Sequence, residues 1–117
     1  MHYEGMFPSA RVTQIAELND QLRQTLHGGR ILFSRGVNAL GPSLCSGIIA
    51  ALREFDNFRG DEDDPFGEHD FGALDVLGRR LFFKIDYYDR SLTAASPDPS
   101  DPGVTVRVLI VMLPEEY

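Results

Sequence analysis

The stretch DEDDPFGEHDFG, from Asp61 to Gly72, gathers six carboxylates and one imidazole within twelve residues. Such a density has four uses: it can coordinate a cation, run acid–base chemistry, present an anionic surface, or connect two elements while staying solvated. A calcium loop of the EF-hand kind needs oxygen ligands at its first, third and fifth positions, glycine at the sixth and glutamate at the twelfth. Counting from Asp61, Pro65 stands fifth and Phe66 sixth, so the two positions that shape such a loop do not match. Zinc needs three or four nitrogen or sulfur ligands. Glu68-His69-Asp70 offers a single imidazole, while His2, His27 and Cys45 belong to other parts of the chain.

Nucleophilic catalysis would need Cys45 beside His69. Cys45 falls in the first turn of an expected helix, where the dipole favours a thiolate. A lone cysteine next to Leu44 nevertheless reads first as a small buried hydrophobe. Glu68, Asp70, Asp86 and Asp89 could converge at one end of a hairpin as paired carboxylates, the minimum for glycoside or metal-assisted phosphoryl chemistry. Against that, Asp70 can cap backbone N–H groups, and Asp86 can pair with Lys84, Arg80 or Arg107 across a sheet. The chain has no glycine-rich phosphate loop and no nucleophile elbow. These patterns read more readily as a binding protein than as an enzyme, and they assign no catalytic set, metal or cofactor. The alternative is a small metal-assisted hydrolase or transferase using Glu68, His69, Asp70 and Asp86.

The elements that must position these residues follow from periodicity. Residues 1–8 have none and read as a loose lead-in, ahead of a single domain over 9–117. Ser9 can cap a helix from Ala10, in which Val12, Ile15, Leu18, Leu22 and Leu26 form one apolar stripe until His27-Gly28-Gly29 stops it. A short strand spans Arg30 to Ser34. Pro42 and Ser43 then open a second helix, with Leu44, Ile48, Leu52 and Phe55 on one face, ending between Phe55 and Phe58. After the acidic stretch, DFGALDVL and RRLFFKIDYYD form a hairpin about Gly78-Arg79, a glycine-first pair. Ser91 to Gly103 is a proline-punctuated loop. Val104 to Leu113, nearly all apolar, reads as a central strand. The expected fold class is α+β, a two-layer sandwich in the order α-β-α-β-β-β. Two helices cover one face of a mixed or antiparallel sheet of about four strands. Its open face would carry Phe82, Lys84, Asp86, Tyr88 and Arg107.

Bulk properties narrow the function. A chain of 117 residues with 43% hydrophobic content can bury one core. No apolar run is long enough to span a bilayer, and MHYEGMFPSA lacks the basic start and apolar stretch of a signal peptide, so a cytoplasmic protein with no membrane partner is expected. One cysteine excludes an internal disulfide framework. The formal charge of −7 argues against tracking a phosphate backbone directly and favours docking onto a basic protein surface. Of eleven basic residues, ten are arginine and only Lys84 is lysine.

The charge for such docking would come from Asp61, Glu62, Asp63, Asp64, Glu68 and Asp70, with Phe66 as an apolar anchor. Tyr88 and Arg107 on the open face form a second candidate surface. A homodimer through that face is the alternative to a different partner.

GEHDFG at Gly67 to Gly72 and KIDYYD at Lys84 to Asp89 resemble an uncharacterised family of short alphaproteobacterial, often plasmid-borne proteins. The likeness extends to IAELND, RGVNALG, SPDPSDP and the closing VLIVMLPEEY. It implies a mobile-element setting and lends no activity or functional residue. By analogy, that setting and the acidic charge point to an inhibitor of a bacterial immune complex, a CRISPR effector or a restriction enzyme. The expected mechanism is occlusion of a basic nucleic-acid-binding groove.

Overall fold

The computed structural model describes residues 9–58 and 64–117. The expected lead-in over 1–8 lies outside the described residues. Helix α1 runs Ala10–Thr25, begun by the Ser9 side chain accepting from the Val12 N–H, and ended by Leu26 in the left-handed region. Strand β1 is Arg30–Phe33, and α3 is Pro42–Glu54 with proline in its first turn. Between them lies a short helix that periodicity does not reveal, α2, Arg35–Asn38, capped by Ser34. Strands β2 (Phe71–Val76), β3 (Arg79–Tyr88) and β4 (Val106–Met112) follow, then a 3₁₀ turn at Pro114–Glu116.

The sheet is four-stranded in the order β1-β4-β3-β2, with β1 parallel to β4 and the other pairs antiparallel. This is the expected mixed sheet of an α+β fold, with the apolar last strand in a central place. One face packs against the helices. Leu22 of α1 and Leu44, Ile48 and Leu52 of α3 meet Leu74, Leu81, Phe83, Ile85, Leu109 and Val111 in one buried core.

The hairpin turn sits one residue earlier than the sequence reading places it. Leu77 and Gly78, with φ of 51° and 80°, close the Val76–Arg79 pair, a two-residue turn with both central residues left-handed. A turn at Gly78-Arg79 would set Leu74 opposite Phe83. In the observed register that place belongs to Gly72. A Cβ there would stand 2.7 Å from the Phe55 ring and closer still to Phe83. The register is therefore fixed by a glycine on which two aromatic rings rest.

The proline loop is held by its own carboxylates. Asp89 accepts from the Thr93 N–H at 3.0 Å, Asp98 from the Ser100 N–H at 3.1 Å and Asp101 from the Gly103 N–H at 2.8 Å. Among the described residues no helix is long and apolar enough to cross a membrane.

Candidate functional site

Leaving α3, the chain turns Phe55 and Phe58 inward: Phe55 meets Phe83 edge to face at 5.2 Å, and Phe58 stacks on the His69 ring at 4.1 Å. His69 is thereby fixed on one side by an aromatic face. Its Nδ1 lies 2.9 Å from Asp20 Oδ1 on α1, and its Nε2 lies 3.8 Å from Asp64 Oδ2. Asp64 also accepts the His69 backbone N–H at 3.0 Å, and its side chain is only 2% exposed. The left-handed backbone of Gly67 and His69 lets the loop double back over this carboxylate.

A second set of bonds ties the same loop to the sheet. Asn19 of α1, fully buried, donates to the Tyr87 hydroxyl at 2.8 Å and to the Glu68 carbonyl at 3.0 Å. Tyr87 donates in turn to Glu68 Oε1 at 2.8 Å. Burial pushes the Tyr87 hydroxyl far above its ordinary pKa, so it keeps its proton. Arg107 Nε donates to Asn19 Oδ1 at 2.9 Å, its Nη2 donates to the Pro99 carbonyl, and its guanidinium lies 5.3 Å from the Tyr87 ring centroid. Burial draws the Arg107 pKa downward, while the Tyr87 and Glu68 groups oppose that shift.

Arg23 anchors the neighbouring edge. It donates through Nη1 to the Leu52 carbonyl at 2.9 Å and to the Phe55 carbonyl, and through Nη2 to Asp20 at 3.0 Å. A cation at the last carbonyls of α3 also complements that helix's dipole.

A family model for proteins of unknown function, DUF3768, matches residues 33–116. The chain belongs to the DUF3768 family. No curated protein and no solved structure matches it. The matched DUF3768 segment contains the GEHDFG loop and the hairpin but not α1, which supplies Asn19, Asp20 and Arg23. Three segments singled out in the sequence, IAELND, GEHDFG and KIDYYD, thus meet through Asn19, Asp20, Glu68, His69 and Tyr87.

The candidate site residues of this DUF3768 chain stand in different settings, Asp70 beside Phe66 and Phe71 in a cleft. Asp61, Glu62 and Asp63 lie outside the described residues. Phe66 stands 75% exposed. Asp64 does not reach solvent, because its carboxylate organises the loop around His69, and Glu68 is partly engaged by Tyr87. Tyr88 lies on the open face of the sheet, in register with Val106.

Arg107 corrects the expectation that it shares that open face. It pairs with Tyr87, so it points to the helix side with Leu109 and Val111, and it is 2% exposed. Both phases of VTVRVLIVML are apolar, so alternation could not decide its side. Burial is tolerated because Asn19 and Pro99 accept its protons. Sequence reasoning missed Asn19, Asp20 and Arg23, whose helix spacing reads as an ordinary polar face.

Two carboxylates of the hydrolase alternative are engaged on opposite sides of the sheet. Asp86 lies in phase with Phe82 and Lys84 on the open face and is held by Lys84 at 2.8 Å, while Glu68 joins Tyr87 on the other side. Among the described residues no three His, Cys, Asp or Glu side chains are arranged to hold a metal ion. Cys45 and His69 also lie apart: Cys45 lines a groove beside Ile31, Phe33 and Ile49, whereas His69 is packed on Phe58.

Proposed function

We propose that this DUF3768 domain is a protein-binding module that occupies a basic surface of its partner, using the GEHDFG loop and the acidic run before it. The observation that carries this reading is how the loop is anchored. Buried Asp64 closes the loop on itself by accepting the His69 N–H, and buried Asn19 ties it to α1 through the Glu68 carbonyl, yet Phe66, between Asp64 and Glu68, stands in solvent. A connector that only bridged two elements would not need an interior carboxylate to shape it. A pre-shaped loop that presents an aromatic ring loses little freedom on binding, which favours affinity.

The partner class rests on charge and setting. An acidic protein of formal charge −7 complements a nucleic-acid-binding groove, and attraction of this kind raises association rates. Together with the mobile-element resemblance, this favours inhibition of a bacterial immune complex, a CRISPR effector or a restriction enzyme, by occlusion.

The test measures DNA binding by purified effectors of both classes in the presence of the chain. The comparison is a variant carrying Asp61→Asn, Glu62→Gln, Asp63→Asn and Phe66→Ser. The native chain should displace DNA, more effectively at low than at high salt, and the variant should be weaker by at least about tenfold. Equal displacement by the variant would remove the loop from the mechanism. No displacement by the native chain would remove these complexes as its targets.

A further inference from the structure

Beside the exposed Phe66 ring, a cleft of about 510 Å³ opens on the outer face of the hairpin. Its floor is an aromatic cluster: Phe71 and Phe82 have ring centroids 5.2 Å apart, and Tyr117 lies 5.2 Å from Phe71 and 5.8 Å from Phe82. Asp70 lines the wall between Phe66 and Phe71. Among the described residues no cation pairs with the Asp70 carboxylate, although other carboxylates surround it. Burial first, then Glu68, then Asp64 and Asp86, raise its pKa to about 6. Arg80 also lines the cleft, but its charge is offset by Asp75, 3.4 Å away.

We propose that this cleft is the receptor for an arginine side chain of the partner, with the Phe71, Phe82 and Tyr117 rings as stacking faces and Asp70 as counter-ion. The inference rests on the binding reading above and deepens it by naming the chemistry of the contact. Charge complementarity selects the occupant. An unpaired carboxylate in an acidic neighbourhood, beside π faces, attracts a cation and repels an anion, whereas a neutral apolar chain could cover the rings but would leave the carboxylate without a partner. The planar guanidinium suits the site better than ammonium, since it can stack on a ring while its N–H fork meets the carboxylate. The volume lies within the roughly 300–1,000 Å³ of ligand clefts and leaves room for the residues flanking the arginine.

The probe is the capped peptide acetyl-Gly-Arg-Gly-amide, with a norleucine twin, titrated into the full chain and followed by two-dimensional NMR. Saturable shifts should appear at Phe71, Ala73, Phe82 and Tyr117, with the arginine peptide binding about tenfold or more tightly than its twin. Asp70→Asn should weaken binding by about tenfold, and Tyr117→Leu, at a 73% exposed position, should weaken it severalfold. Equal binding of the twin would overturn the proposal, as would shifts spread over the whole acidic surface. It would also fall if the same resonances moved with protein concentration alone, which would make a second copy the occupant. The peptide experiment involves no effector, so the two readings fail separately. Peptide binding without DNA displacement keeps the receptor and discards the immune target. Displacement that depends on Phe66 without peptide binding does the reverse.

Discussion

Asp70 enters β2 with its carboxyl half withdrawn from water, and the consequence appears in stability as a function of pH. Its pKa rises from an ordinary 3.8 to about 6 on folding, so the folded chain holds this proton more tightly than the unfolded one. Its contribution is therefore fully favourable below about pH 4 and is lost as pH rises through 6. At neutral pH the ionised group is a standing cost, on the order of 1 kcal/mol once solvent screening is allowed for. Asp70→Asn should accordingly raise stability by about that amount at pH 7.5 and leave it nearly unchanged at pH 4, as read by urea unfolding. An equal difference at both pH values would refute the assignment. A residue that weakens the fold unless a cation arrives is what a binding site would retain. Of these residue-scale facts, sequence reasoning reached the crowding of carboxylates near Asp70. It could not reach the burial of Asp64 or Arg107, because both depend on acceptors and donors brought from α1 and the loops by the fold.

The elements themselves were more legible, and the exceptions have physical causes. The α1 stripe, the Ser9 cap and the apolar β4 run are local signals, and each element formed where its signal lay. Helix α2 carries only four residues, too few for a period, and its start is held by Ser34 and by Glu116, 80 residues away from the Gly36 N–H that it accepts. Likewise α3 ends at Glu54 rather than further on, because Phe55 and Phe58 gain more by meeting Phe83 and His69 than by continuing the helix. The hairpin turn was displaced by the packing at Gly72, which left Leu77 in a left-handed conformation at 77% exposure. A leucine there is strained and buries nothing, so Leu77→Asn should stabilise the protein by about 0.5–1 kcal/mol. The measurement is the thermal midpoint, which should rise by a few degrees. A fall would show that the leucine side chain contributes a contact in solution.

At the scale of the whole molecule, the segment matched by the DUF3768 model leaves out a helix that the core uses. Residues 33–116 exclude α1, yet α1 buries Ile15, Ala16 and Leu22 against the rest and contributes fully buried Asn19. Losing three apolar side chains from the core costs roughly 1–3 kcal/mol for each large one. Removing Arg23 leaves the Leu52 and Phe55 carbonyls without that donor, and removing Asn19 deprives Arg107 of an acceptor and Tyr87 of a donor, at about 1–3 kcal/mol for each group left buried and unsatisfied. Together these losses are comparable to the roughly 5–15 kcal/mol that holds a domain folded. A chain beginning at Gly28, which keeps β1 and the entire matched segment, should therefore lose its near-ultraviolet circular dichroism and its cooperative urea transition while retaining some secondary structure. The GEHDFG loop would lose Asp20 and Asn19 at the same time, so binding through Phe66 should fail even if the sheet survives. If the shortened chain unfolds in one cooperative step with a midpoint near that of the full chain, α1 is an accessory. The loop would then be shaped by Asp64 and Phe58 alone.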